Sequence, residues 1–171
     1  ALKRYQHTQK NQEMRLRSSI ELSTHLLELY RGIRPALIRN FFESGYRGII
    51  IEAFGTGGIP NLPKYRSLIP QIRTWGYKRL IGITSKTFTG QTTDDYEVNT
   101  GAFKAGAISL YDMLPLTALS KANWLFGQRP RASLETIKNL MWHPFELEIT
   151  EDRVPEKSRL TAEEAEELLG G

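Results

Sequence analysis

Apolar residues follow two different periods in the first half of the chain, and the two periods alternate. The pattern predicts a strand, a helix, a strand, a helix and a strand at residues 20–30, 34–45, 49–51, 64–76 and 79–84. Ile49, Ile50 and Ile51 are consecutive, which is typical of a strand that is covered on both faces. Pro70 lies inside the second helical segment, so we expect that helix to be bent or divided there.

This order of elements favours parallel strands joined by crossover helices. Further helical periods follow at residues 114–126 and 134–142. Thr161 and Glu164 have the spacing of a capping box, so the acidic end of the chain can itself form a helix. The predicted fold class is α/β: a small three-layer domain, flavodoxin-like or Rossmann-like, with a parallel sheet of about four strands flanked by helices.

The composition of the chain limits which kinds of domain and site it can form. A chain of 171 residues with 40% hydrophobic residues is long enough for about one domain with a real core. It contains no cysteine, which excludes disulfides, thiolate nucleophiles and cysteine zinc sites. Its histidines, His7, His25 and His143, stand far apart, so we expect no histidine metal site. No window approaches the apolar length of a membrane span, and we expect no membrane contact.

The formal net charge is +4, but the two ends of the chain differ in sign. Basic residues crowd the first end, at Lys3, Arg4, Lys10, Arg15 and Arg17. A basic arm can bind nucleic acid. No aromatic or glycine motif of an RNA-binding module accompanies it, however, so a solvated linker is the favoured interpretation and no nucleic acid is expected.

The segment GTGGIP, residues 55–60, follows the second predicted strand and contains three glycines. Such a loop can bind phosphate, bind another ligand, or be only a tight turn. The dinucleotide fingerprint and the phosphate-loop lysine are missing, and Pro60 and Pro63 interrupt the route into a helix. Ligands of parallel sheets bind beyond the carboxyl ends of the strands, so the loop is still a candidate site.

The loop after the third predicted strand is the most polar segment of the chain. Residues 84–98 (TSKTFTGQTTDDYEV) hold six serine and threonine hydroxyls, Lys86, Asp94, Asp95 and Glu97. A loop of this composition is either simply exposed to solvent or faces a polar substrate. Glu97 stands where the loop meets a helix, so it is well placed to meet an amino group.

Three stretches carry a resemblance to a known family: LLELYRGIRPALIRNFFESGYRGIIIEAFGTGGIPN, TSKTFTGQTTDDYEVNTGAFKAGAI and DMLPLTALSKANWLFGQ. In this order they resemble successive segments of the C-terminal domain of the L-asparaginases, over residues 20–151. The most specific pieces are the LYxGI start, the glycine loop, and the DM pair followed by WLFG. RGIIIE, GGIP and AGAISLYDM are more similar to the cytoplasmic, archaeal-like branch.

The resemblance implies a two-domain amidohydrolase that converts L-asparagine to L-aspartate and ammonia without a metal or cofactor. In that family the catalytic groups lie in the N-terminal domain, so the resemblance implies no catalytic residue in this chain and no activity of the chain alone. The C-terminal domain supports oligomer contacts and closes the active site of a neighbouring subunit. The substrate-binding residues that it implies are Thr56, Gly57, Gly58 and Glu97.

Glu97 matches a loop glutamate of the family, whereas Gly58 stands where the periplasmic branch has an asparagine. The resemblance divides the chain into a basic linker (1–19), an asparaginase C-terminal-type α/β domain (20–151) and an acidic tail (152–171). The expected partners are an N-terminal asparaginase domain, L-asparagine and further copies in a dimer or tetramer, and the expected location is the cytoplasm. Two alternatives stay open: the C-terminal domain of the D subunit of glutamyl-tRNA(Gln) amidotransferase, and a non-catalytic α/β binding module.

Overall fold

A computed structural model of the chain describes residues 17–55, 57–61, 66–86, 97–146 and 148–170, with the backbone alone at residues 97–99. Within these ranges the strands are β1 (Thr24–Glu28), β2 (Gly48–Ala53), β3 (Leu80–Ser85) and β4 (Ile108–Ser109). The α-helices are α1 (Ala36–Glu43), α2 (Ile69–Trp75), α3 (Glu97–Lys104), α4 (Pro115–Gln128), α5 (Leu134–Trp142) and α6 (Ala162–Leu168).

The four strands form one parallel sheet in the order β1-β2-β3-β4, which confirms the predicted α/β class. Two details differ from the sequence-based predictions. β1 begins at Thr24 and not at Ile20, because the amide of Ser23 turns back to the carbonyl of Glu21 at 2.8 Å. Pro70 does not bend α2: it lies in the first turn, where its missing N–H has no helical partner to lose.

Helices cover both faces of the sheet. The side chains of Ile49 and Ile51 pack with α1, α2 and α3, while Ile50 between them packs with α4, α5 and α6. All three isoleucines are fully buried. The uninterrupted apolar run therefore reflects a strand with a core on each side, as predicted.

The order of the strands affects where a ligand can be expected. In a doubly wound sheet the strand order reverses at one point, and ligands bind in the crevice beside that reversal. The described strands follow one another in sequence order, so no reversal exists among them. A functional site in this sheet must therefore be argued from the chemistry of its loops.

A buried ion pair joins α4 to the segment after α5. Lys121 Nζ lies 2.6 Å from Glu148 Oε1, and the two side chains are only 6% and 12% exposed. Lys121 also donates to the carbonyl of His143 at 2.5 Å, while Glu148 accepts the amides of Phe145 and Glu146 at 3.1 and 2.9 Å. Burial raises the pKa of Glu148, but the charge and hydrogen bond of Lys121, together with the backbone amides of Glu148 and Glu146, outweigh burial and hold the pKa below its usual value.

Two glycines meet where α2 and α3 end. A Cβ at Gly106 would lie 2.7 Å from the carbonyl carbon of Gly76, which leaves no space for a side chain. Lys138 of α5 donates to the carbonyl oxygens of both glycines, at 2.9 Å and 2.7 Å. One cation thus satisfies the ends of two helices, where the carbonyl groups carry partial negative charge.

The segment before β1 lies along α4 and α6. Trp124 Nε1 donates to the carbonyl of Arg17 at 3.0 Å, and a Cβ at Gly127 would lie 2.5 Å from the carbonyl oxygen of Ser19. Arg17 also forms an ion pair with Glu166 of α6 at 2.8 Å. The glycine of the WLFG motif therefore serves close contact between a helix and an extended backbone.

The acidic end of the chain contains a helix with its own cap. The side chain of Thr161 accepts the amide of Glu164, and the side chain of Glu164 accepts the amide of Thr161, which confirms the capping box. Ala165 and Leu169 are buried against the core on the α4 side of the sheet. The divisions proposed at residues 19 and 151 stay predictions.

Candidate functional site

The glycine loop after β2 is a closed turn. Phe54 and Gly58 form an antiparallel bridge, in which the Phe54 amide donates to the Gly58 carbonyl at 3.2 Å. The amides of Gly57 and Gly58 both donate to the carbonyl of Phe54, at 3.0 and 2.7 Å. Because both N–H groups are used inside the turn, neither is free to hold a phosphate.

Two contacts fix this turn to the end of the sheet. Ser85 Oγ, at the end of β3, donates to the carbonyl of Gly55 at 2.5 Å. Ile59 follows the turn and is only 1% exposed. Phe54 itself remains 37% exposed. The turn is therefore a fixed projection at the carboxyl edge of the sheet.

Gly57 and Gly58 should respond differently to substitution. Gly57 has a φ of +103°, which disfavours any other residue, whereas Gly58 is not among the residues with positive φ. A Cβ at Gly58 would meet the carbonyl oxygen of Phe54 at 3.3 Å. We expect Gly57→Ala to lower the free energy of unfolding by about 1–2 kcal/mol and Gly58→Ala to lower it less, as measured by urea denaturation. Equal losses would contradict this assignment of strain to Gly57.

Charged side chains gather where β1, β2 and β3 end. Glu28 and Glu52 are register partners at the ends of β1 and β2. Lys86 follows β3 and forms an ion pair with Glu28. A hydrogen bond from Lys86 to Glu28 is the main cause that raises the pKa of Lys86, and the charge of Glu52 acts in the same direction. This edge thus offers both signs of charge to a polar ligand.

Glu28 and Glu52 were not among the site residues predicted from the sequence. The available signal was that each acid stands at the carboxyl end of an apolar run. Their proximity depends on the register between β1 and β2, which are more than twenty residues apart in the sequence and which place Glu28 opposite Glu52. That register is set by packing on both faces of the sheet.

The structure places some of the predicted substrate-binding residues and not others. Gly57 and Gly58 lie at the carboxyl edge after β2, and the backbone of Glu97 begins α3, which connects β3 to β4. The turn and the start of α3 therefore belong to the same edge of the sheet. Thr56, residues 87–96 and the side chain of Glu97 lie outside the described residues, so the roles of Thr56 and Glu97 stay predictions.

A threonine and a carboxylate lie together near the end of β4. Thr150 Oγ1 donates to Asp112 Oδ2 at 2.5 Å, and the Thr150 amide donates to Oδ1 at 3.0 Å. Burial raises the pKa of Asp112, but the hydrogen bonds from Thr150 and the charge of Arg153 outweigh it and hold the pKa below its usual value. Such a carboxylate is a weak base, so this contact is better suited to joining two segments than to activating a nucleophile.

The described part of the chain offers neither a metal cluster nor a membrane span. No three histidine, aspartate or glutamate side chains there lie together in a way that could hold a metal ion. No helix among the same residues has the length and apolar character needed to cross a bilayer.

Comparisons with known proteins give a consistent result. The profile of the Glutaminase/Asparaginase C-terminal domain matches residues 24–141. The human 60 kDa lysophospholipase is 33% identical over 141 residues, which are 82% of this chain and 24% of that protein. The D subunit of glutamyl-tRNA(Gln) amidotransferase from Pyrococcus horikoshii is 33% identical over 133 residues, 77% of this chain and 29% of that protein.

Two solved structures are similar over most of the chain. The thermostable L-asparaginase from Thermococcus kodakarensis superposes with a TM-score of 0.69 at 27% identity, over 77% of this chain and 39% of that one. L-asparaginase I from Vibrio cholerae superposes with a TM-score of 0.69 at 26% identity, over 81% of this chain and 41% of that one. The chain thus spans less than half the length of each of these relatives.

Proposed function

The chain belongs to the Glutaminase/Asparaginase C-terminal domain family, and on this premise we propose that it is the C-terminal half of an L-asparaginase. The proposed enzyme hydrolyses L-asparagine to L-aspartate and ammonia in the cytoplasm. One observation carries the proposal. In a fold similar to two L-asparaginases, the glycine turn and the start of α3 lie at one edge of the sheet, after neighbouring strands.

The proposal divides the chemistry between two domains. The solved relatives extend well beyond the part that this chain covers, 39% and 41% of their lengths. We therefore assign the nucleophiles to an N-terminal domain and the closing of the site to this one. Gly57 and Gly58 form the wall of the site, together with Thr56, which precedes them in the sequence. Glu97 binds the ammonium group of the substrate. In an oligomer this edge faces a neighbouring subunit.

The first test is the production of ammonia. The purified chain alone should release none from L-asparagine, and adding the matching N-terminal domain should restore hydrolysis. Domains often reassociate from separate pieces when the interface between them is large. Ammonia above the buffer blank from the chain alone would contradict the division of labour.

Replacing Glu97 by glutamine should lower kcat/KM of the restored enzyme by about tenfold or more, because a hydrogen bond to a charged group contributes roughly 1.5–3 kcal/mol. Asp94→Asn and Asp95→Asn are matched controls, since each removes one negative charge from the same polar segment. Steady-state ammonia release measures all three variants. A similar loss in all three would mean that the segment acts through its total charge, and the assignment of Glu97 would fail.

A second candidate function is that of an amidotransferase D subunit. It is favoured by the 33% identity to the Pyrococcus horikoshii protein and by the basic residues that precede β1. L-Glutamine, L-asparagine and a lysophospholipid should be offered to the restored protein with and without glutamyl-tRNA(Gln). Dependence of ammonia release on the tRNA would favour the second candidate. No turnover of any substrate would favour a non-catalytic binding module.

A further inference from the structure

A cavity of about 340 Å³ lies beside β4, between α3, the end of α5 and the segment that follows α5. Its apolar lining includes Phe103, Tyr111, Trp142 and Pro155. Cavities that bind small molecules have volumes of roughly 300–1,000 Å³ and are lined mainly by hydrophobic and aromatic side chains. The cavity therefore has the size and the lining for one small ligand with an apolar body.

Two of the aromatic residues in this lining are held in fixed positions. Trp142 Nε1 donates to the carbonyl of Ser109 at 2.7 Å, so the polar end of the indole is bonded to β4. Tyr111 is only 8% exposed and has a φ of +49°, a left-handed conformation that a bulky residue rarely adopts. Residues in such conformations persist where the surrounding structure holds them, and they are concentrated at functional sites. The aromatic part of the cavity is thus formed in advance of any ligand.

Two ammonium groups belong to the same cavity. Lys104 is the last residue of α3 and Lys157 lies in the 3-10 turn Glu156–Ser158, so the two lysines reach the cavity from different elements. Within the described ranges neither ammonium group forms an ion pair or a hydrogen bond. None of the described residues that line the cavity is acidic. The charge of the lining is therefore complementary to an anion.

We propose that this cavity binds a small aromatic carboxylate, with its ring against Phe103 and Trp142 and its carboxylate between the ammonium groups of Lys104 and Lys157. The described lining contains no arginine, the residue whose planar fork suits a phosphate group. The cavity also adjoins the last turn of α3, where the partial negative charge of the helix end disfavours a doubly charged group. A carboxylate, with one charge, fits these two conditions better than a phosphate.

The proposed ligand differs in chemistry from an amino acid such as L-asparagine. An amino acid carries an ammonium group beside its carboxylate, and the described lining has no acidic side chain to receive it. Lys104 and Lys157 would repel that group instead. The proposal is therefore separate from the proposed function, and its tests measure binding without turnover.

The tryptophan side chains allow a test of where the ligand binds. Trp142 lines the cavity, whereas Trp124 donates its indole N–H to the carbonyl of Arg17, and Trp75 is not part of the lining. We expect titration of the full isotope-labelled chain with phenylacetate to shift the indole N–H signal of Trp142 in nuclear magnetic resonance spectra. The shift should saturate with a Kd on the order of 1 mM, the affinity of a ligand with so few atoms.

The other two indole signals should stay unchanged, and Trp142→Phe identifies the signal of Trp142 by its loss. A wild-type Trp142 signal that shows no saturable shift would overturn the proposal. Equal shifts of all three indole signals would do so as well, because they would mean that phenylacetate adheres to aromatic surfaces in general.

Ligands with the same ring test the charge of the cavity. Phenethylamine replaces the carboxylate by an ammonium group, and L-phenylalanine adds an ammonium group to it. Both should bind at least about tenfold more weakly than phenylacetate, which is a large difference for one charge near two cations. Phenethylamine binding as tightly as phenylacetate would show that the ring alone is recognised. Tighter binding of phenyl phosphate would show a phosphate site, and either result would overturn the proposal.

Single substitutions test the two lysines. Lys104→Gln and Lys157→Gln should each weaken the binding of phenylacetate by about three- to fivefold, which is typical of one exposed charge pair. Lys78→Gln is the matched control, because Lys78 is also exposed but does not line the cavity. It should leave the Kd unchanged. If all three variants weaken binding equally, phenylacetate responds only to the net charge of the chain, and the proposal fails.

Discussion

Replacing Glu148 by alanine should lower the free energy of unfolding by about 3–5 kcal/mol, because the change leaves a buried ammonium group without its partner. Lys121 is only 6% exposed and keeps a single other hydrogen bond among those described, to the carbonyl of His143. Burial already lowers the pKa of Lys121, so removal of the carboxylate makes its charged form still less stable. Urea denaturation at neutral pH measures the loss.

A double variant separates the contribution of the two charges to stability from the contribution of the volume that the two side chains fill. Lys121→Met combined with Glu148→Leu removes both charges and keeps the volume apolar, so it should recover most of the stability lost by Glu148→Ala. The carboxylate of Glu148 also accepts two amides of its own turn, which the double variant leaves unbonded. A double variant as unstable as Glu148→Ala would show that those amides, and not the charge of Lys121, are the important partners.

The effect of Glu148→Ala should depend on pH. The pKa of Glu148 is held below its usual value of 4.5, so the carboxylate stabilises the folded state above that pH and loses this effect as the pH falls through the folded-state pKa. The stability difference between wild type and Glu148→Ala should therefore shrink in acid.

The wild type should itself depend on pH through His143. Burial, and then the charge of Lys121, lowers the pKa of His143 below 6.5, so the wild type should begin to lose stability as the pH falls through 6.5.

Gly106→Ala is the second change with a large expected effect, with a loss of about 3 kcal/mol or more, because an added Cβ has no place to go. It would meet the backbone of Gly76 at 2.7 Å and force apart the ends of α2 and α3. Those ends share the ammonium group of Lys138, so the two hydrogen bonds of that side chain would be lost with the contact.

Gly45→Ala provides a matched control for this prediction. Gly45 has a φ of +98° and Gly106 a φ of +102°, so the backbone strain of an alanine is nearly the same at both positions. A Cβ at Gly45 meets nothing within 4 Å. We expect Gly45→Ala to cost about 1 kcal/mol, the strain alone, and the difference between the two variants in thermal or urea unfolding to report the contact with Gly76. Equal costs would show that the contact relaxes easily.

Much of the fold could be predicted because apolar periods and packing agree. Residues 134–142 have a helical period and form α5 over the same residues, with the side chain of Ser133 capping the first turn. β4 was not located in the sequence, since a two-residue strand is too short to show a period. Its place is set by the pairing of Ile108 with Gly82, a contact between distant residues.

The candidate site was less predictable, for a physical reason. GTGGIP shows that a turn is needed, but not that the Phe54 carbonyl accepts the amides of Gly57 and Gly58 and so keeps these two groups from binding phosphate. The ion pair of Glu28 with Lys86 joins residues 58 positions apart, which no local pattern can indicate. Local propensities determine elements, whereas a site depends on which loops the sheet brings together.

The contact between Arg17 and Glu166 places the two ends of the described chain side by side, although 149 positions separate them. A domain whose entry and exit points coincide can be inserted into a longer polypeptide as a side branch, since the host chain leaves and returns at one place. Segments attached before residue 17 and after residue 170 would start from neighbouring points on the surface. Arg17 and α6 therefore mark one region of the surface at which both ends of the described chain lie.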